Sequence, residues 1–199
     1  MARSLLGCLL VHDSAAGTVA VRLTEVEAYA GADDPASHAH RGPTPRTAVM
    51  FGPAGHAYVY LSYGMHWCLN VVAGPAGAAA AVLLRAGEVV RGEALASSRS
   101  GRGLVRSRDL ARGPARLTRS LGVDRAVLGA DLCDPVSRVR LLGGDPVAET
   151  AVARGPRVGI SRAVDLPWRL WLVDDPTVSA FRRGRPSRSG TARSTPSPA

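Results

Sequence analysis

Glu25, Glu27 and Tyr29 fall at alternate positions of one apolar-rich segment. Read as a strand of period two, the segment sets them on the same face as Val19, Val21 and Leu23, so an apolar face runs on into two carboxylates and a phenol. A buried carboxylate is costly unless it is paired. Acids that persist in such surroundings either hold a cation or move protons. A cation is at hand, because Arg85 ends the apolar run 79–84. A Glu27–Arg85 pair across a sheet is the expectation; the pattern alone leaves both a structural ion pair and an acid–base couple open.

All four tyrosines (Tyr29, Tyr58, Tyr60, Tyr63) and one of the three tryptophans, Trp67, lie between residues 29 and 67. That concentration describes either a concave surface for something flat or a local aromatic core. His38 and His40 form an HxH in a loop beside Asp33 and Asp34. No further ligands stand at a recognisable metal-site spacing, so a hydrogen-bonding histidine is the simpler reading. The sequence has no P-loop, GxGxxG, GxSxG or HExxH.

The elements that must position these residues are legible in outline. Residues 3–11 read as a short helix running into a strand, residues 15–17 as a turn, and 18–29 as a strand. A loop rich in Gly, Asp, Pro and His follows over 31–45. Residues 57–62 and 65–73 form two strands around Tyr63 and Gly64, the clearest hairpin in the chain. The run 78–90 is apolar enough for a central strand. Helical character is expected at 93–96 and 114–121, and short strands at 138–142, 158–161 and 168–173. Few helices and hairpin-length turns imply an α+β single domain with a mixed or antiparallel sheet. The domain is expected over 1–181, with an Arg/Ser/Pro-rich disordered tail at 182–199.

The 199 residues allow one domain with a real core. Twenty-five basic residues against 16 acidic ones give a net charge of +9, which calls for a polyanion such as nucleic acid or an acidic membrane surface. Seven arginines crowd the stretch from Arg99 to Arg119, either a solvated face or a set of phosphate contacts. All the cations are arginine; there is no lysine, so lysine Schiff-base chemistry is excluded. Three cysteines without CxxC spacing argue against a disulfide framework and for a reducing cytoplasm. No apolar run approaches the ~20 residues of a membrane span, and the first ten residues lack the pattern of a secretory signal.

The string EVEAYAGADDPASHAHRGPTPRTAVMFGPAGHAYVYLSYGMHWCLNVV, followed by AVLLRAGEV, resembles the alkyladenine (3-methyladenine) DNA glycosylase family. Looser matches, RGPARL at 112–117 and RVGISRA at 157–163, come in the expected order. The resemblance spans about residues 2–181 and implies a curved sheet with a protruding DNA-inserting hairpin and flanking helices. It further implies a monofunctional, monomeric glycosylase that needs no cofactor. Such an enzyme flips alkylated or deaminated purines out of double-stranded DNA and hydrolyses the N-glycosidic bond. By position, Glu27 matches the acid that deprotonates the attacking water, Arg85 the arginine that helps hold that water, and the Val158 carbonyl a third contact. Tyr29, His38 and Tyr60 match the base-binding pocket; Asn70 and Leu83 match residues that gate against normal guanine. Tyr63 matches the wedge that fills the vacated space, with Met65 beside it. His66 departs from the aromatic residue that other members carry after the hairpin methionine. The chain also begins where a longer N-terminal helical segment is expected. A non-catalytic nucleic-acid-binding protein is the alternative, and a metal-dependent hydrolase built on the HxH a third reading.

Overall fold

The computed structural model describes residues 1–101, 103 and 105–184. Arg102 of the arginine band, and the expected tail beyond Gly184, lie outside the described residues. Among those described, eight strands form one sheet: β1 (Leu9–Ser14), β2 (Gly17–Tyr29), β3 (Ala57–Ser62), β4 (His66–Ala73), β5 (Ala80–Arg91), β6 (Val139–Leu142), β7 (Val152–Gly155) and β8 (Arg169–Leu172). The main path runs β3-β4-β5-β2-β1-β6, and all these pairings are antiparallel. Two α-helices among the described residues, α1 (Glu93–Arg99) and α2 (Pro114–Leu121), complete the α+β fold. Proline at the first turn of α2 and Gly122 in a left-handed cap fix both of its ends.

The long strand β2 forks. Along one edge it pairs with β1 over residues 17–22 and with β8 over residues 25–27. Its other edge pairs with β5 from Ala20 to Tyr29, with two of its register shifts at the same level as the fork. Leu23 faces Gly87 and Glu25 faces Ala86, so Thr24 is an extra residue; Val26 faces Leu84, so Arg85 is extra on the partner strand. Each bulge re-aims the side chains that follow it. Gly87 is required here, since a Cβ would stand 2.4 Å from Val21 Cγ1 and from the Arg22 carbonyl.

The bulges correct the expected parity. Val19, Val21 and Leu23 do face the main core, but beyond Thr24 it is Val26 that continues that face, beside Leu84, Val59, Leu69 and Val71. Glu27 lies opposite Leu83, on the other side of the sheet. Leu117 and Leu121 of α2 close the apolar side. A second, smaller cluster (Met50, Tyr58, Val72, Ala81 and Ala39) anchors the loop 31–51 over the polar side.

A second expectation also fails. Residues 158–161 form an irregular loop, and the strand lies earlier, at Val152–Gly155, paired with β8. The segment 158–161 does not form a ladder; Val158, Gly159 and Ile160 line a cavity instead.

Candidate active site

Pocket-facing residues of β2, β3, β4 and β5, with the loops carrying His38 and Val158, enclose a cavity of about 460 Å³, within the range of small-molecule sites. Its walls include Tyr29, His38, Tyr60, Asn70, Leu83, Arg85 and Val158, and its rim reaches Tyr63. Met65 is outside the lining, next to the rim on the hairpin, and 71% exposed. Glu27 sits just behind this wall, fully buried.

Alternation places these groups together. Tyr58 and Tyr60 leave β3 on the pocket side, as do Cys68 and Asn70 on the paired β4. Asn70 is directly opposite Leu83 of β5, and its amide donates to the Tyr58 carbonyl at 3.1 Å, which fixes its orientation. His38 Nδ1 lies 3.0 Å from the Tyr58 hydroxyl, and its ring stands edge-on to Tyr60 with centroids 4.5 Å apart. His40 is bound elsewhere, to the Ala32 carbonyl at 2.6 Å, so the two histidines of the HxH take different partners. Arg46, within the TPR motif, places its guanidinium 5.3 Å from the Tyr60 centroid.

Four charged side chains meet beneath the cavity, and all are at least nine-tenths buried: Glu25, Glu27, Arg85 and Arg169. Glu25 accepts from Arg85 Nε at 2.9 Å, Arg169 Nε at 2.7 Å, and the N–H and hydroxyl of Ser179 at 2.8 and 3.0 Å. Glu27 has fewer partners. The Val158 N–H donates to its Oε1 at 2.7 Å, the Tyr29 hydroxyl to Oε2 at 2.9 Å, and Arg85 Nη1 stands 3.4 Å from Oε1. The contact between Val158 and Glu27 therefore runs through the N–H.

The two acids diverge for a physical reason. Burial pushes the Glu25 carboxyl up, but Arg85, Arg169 and Ser179 outweigh it and hold it below the usual glutamate value. Burial also pushes Glu27 up, and Arg85, the Val158 N–H and Tyr29 do not fully offset it. Its pKa lies above the ordinary value, as suits a group that takes a proton near neutrality. Burial, then Glu27, raise the Tyr29 phenol well above its usual value, so Tyr29 stays a donor. Burial works against the Arg85 charge, yet Glu27 and Glu25 outweigh it and hold its pKa up.

Sequence reasoning found Glu27, Arg85 and their ion pair. It missed the partners that hold them. Asp34 grips Arg157 through both carboxylate oxygens, at 2.5 and 2.8 Å, and Arg157 also donates to the Ala28 carbonyl at 3.0 Å. The Arg157 guanidinium lies 4.5 Å from the Tyr29 ring centroid and 5.1 Å from that of Trp168. This tie carries the 157–158 loop to the end of β2. The partners are 123 residues apart, so no local spacing could signal them.

At the hairpin tip Tyr63 is 87% exposed and holds φ 51°, followed by Gly64 at φ 68°. Two left-handed residues in succession match the primed turns that suit a twisted hairpin. Gly64 takes that geometry freely, whereas a tyrosine there is strained. Strain on an exposed aromatic residue points to a role outside the fold. Within the arginine band, Arg99 is tied to the Ser120 carbonyl and Ser14, and Arg112 to the Val178 carbonyl. Part of the band is thus architecture.

Comparison with known proteins bears on this site. The family model for methylpurine-DNA glycosylase matches residues 1–176. A protein of Frankia casuarinae is 55% identical over 197 residues, covering 94% of this chain and 90% of its own. Relatives from Streptomyces avermitilis and Nocardia farcinica are 50% and 53% identical, each covering 96% of this chain and 90% of their own. All three bear the name "Putative 3-methyladenine DNA glycosylase".

Proposed function

The chain belongs to the methylpurine-DNA glycosylase family, which makes it a hydrolase of N-glycosyl bonds in DNA, and we propose that Glu27 activates the water that releases a flipped, damaged purine. The observation that carries this reading is Glu27 itself: a carboxylate with a raised pKa, fully buried behind an aromatic-walled cavity and beside a buried arginine. A pure binder has no use for such a group near phosphate.

The chemistry follows from charge. As the bond from C1′ to the purine nitrogen breaks, its electron pair leaves with the base and the sugar gains oxocarbenium character. A cationic base such as 3-methyladenine leaves as a neutral molecule. Glu27 opposes the developing positive charge and takes a proton from the water whose oxygen bonds to C1′. Arg85 steadies the carboxylate and the water, with the Val158 carbonyl as a further contact to that water. Tyr29, His38 and Tyr60 stack on and hydrogen-bond the base; Asn70 and Leu83 crowd a guanine amine. A cationic base gains from the aromatic walls. Tyr63, with Met65, enters the duplex to fill the gap, at the cost of unstacking a base step. The chain works as a monomer on double-stranded DNA containing damaged purines, in the cytoplasm. Residues 1–181 form the catalytic domain. No helix among the described residues is long and apolar enough to cross a membrane.

Incubation with methylated duplex DNA tests this. Free 3-methyladenine and alkali-labile abasic sites are expected in equal amounts, and undiminished in excess chelator. Binding without base release would overturn the reading, and loss of activity in chelator would favour the metal hydrolase.

A further inference from the structure

The family match ends at residue 176, yet the chain continues as a strap against the back of the buried charge cluster. Thr177 shares a buried hydrogen bond with Thr24, the bulge residue of β2, at 2.8 Å. The Val178 carbonyl accepts from Arg112 Nε at 2.9 Å. Ser179 then makes four hydrogen bonds to three charged side chains. Its N–H and hydroxyl donate to Glu25, its hydroxyl accepts from Arg85 Nη2 at 3.3 Å, and its carbonyl accepts from Arg169 Nη2 at 2.8 Å. Further on, the Arg182 carbonyl accepts from the Gly159 N–H at 2.9 Å, next to the residue whose own N–H binds Glu27.

Arg85 shows what this arrangement does. Its Nε is held by Glu25 and its Nη2 by the Ser179 hydroxyl. With two nitrogens fixed, Nη1 is left reaching Glu27 at 3.4 Å. We infer that Ser179 is a positioning residue: by bonding Glu25 and Arg85 together, it fixes the guanidinium against Glu27 and so governs the step that Glu27 performs. The inference rests on the roles proposed for Glu27 and Arg85. It adds a residue beyond the family match that acts only through them.

Ser179→Ala removes the hydroxyl but keeps the N–H bond to Glu25. Arg85 loses a tether and swings more freely, so the ionised form of Glu27 loses part of its fixed counter-charge. Ser179 is only partly buried, which leaves room for the extra methyl of Ser179→Thr. The experiment is release of 3-methyladenine from methylated duplex DNA with enzyme in excess, from pH 5 to 9, for the wild type, both Ser179 variants and Glu27→Gln. Loss of the hydroxyl's two hydrogen bonds, to Glu25 and to Arg85, predicts release about tenfold or more slower at neutral pH in Ser179→Ala. The acid limb of its profile should move up by about half a unit. Ser179→Thr should restore both, and duplex affinity should not change.

A Ser179→Ala profile that overlays the wild type would overturn the inference. So would uniform slowing with an unmoved acid limb, or a Thr variant as impaired as the Ala variant. Full activity in Glu27→Gln would instead remove the reading beneath it, so the two failures are distinguishable.

Discussion

Replacing Tyr29 by Phe isolates one of the three groups that hold Glu27. The Tyr29 hydroxyl donates to Glu27 Oε2 at 2.9 Å, while its ring lies over the Arg157 guanidinium. Phe keeps the ring and deletes only the donor. A hydrogen bond to a buried charged group is worth about 1.5–3 kcal/mol, and 1.36 kcal/mol corresponds to one pKa unit, so Glu27 should rise by roughly 1–2 units. The donor favours the ionised form, so its loss must raise the value further above the ordinary glutamate range, where burial has already put it. Base release under enzyme excess should therefore show an acid limb displaced upward by that amount, with the rate partly recovered at alkaline pH. Stability follows the same linkage. A carboxyl whose folded-state pKa is raised contributes stability below its unfolded value and loses it as pH rises through the folded value. The variant should accordingly lose more stability at neutral pH than at pH 4. An unmoved acid limb, or one displaced downward, would refute the assignment of Tyr29 as the donor that keeps Glu27 ionisable.

Two further substitutions probe the surroundings. Glu25→Gln strips Arg169 of its carboxylate partner and Arg85 of one of its two; breaking such a buried pair costs about 3–5 kcal/mol, or a melting decrease of roughly 6–20 °C. Thermal unfolding checks this, and a decrease of less than 2 °C would mean that Glu25 does not neutralise Arg85 and Arg169. Tyr63→Ser at the exposed tip should leave the melting temperature within a degree or so. Base release should slow by about tenfold or more, the scale of one lost base–aromatic stack; normal processing would remove the wedge assignment.

Where the sequence was informative, local patterning explains why. Alternation in 57–62 and 65–73 around Tyr63-Gly64 is a local signal, and the hairpin stands where it was expected. The run ending at Arg85 is a central strand, and the Glu27–Arg85 ion pair forms. The bulges at Thr24 and Arg85 were not legible, because an extra residue exists only relative to a paired strand. Period-two reading therefore put Glu27 on the core face, although its burial and its cation were read correctly. The strand expected at 158–161 shows the reverse problem: those apolar residues serve a cavity wall, and four residues carry no periodicity strong enough to tell a wall from a ladder. Partners separated by more than 100 residues, such as Asp34 with Arg157 and Glu25 with Ser179, leave no spacing to read.

The central claim is that the Glu27 carboxylate performs the hydrolysis, and Glu27→Gln tests it with two readings on one protein. Base release under enzyme excess should fall by about 10²–10⁴-fold, the contribution of a positioned proton-transfer group, while duplex binding persists. At pH 7 the same variant should melt at a higher temperature than the wild type, because an ionised carboxylate with a raised pKa costs the fold stability that a neutral amide does not. A glutamine variant that releases 3-methyladenine at the wild-type rate would contradict the account.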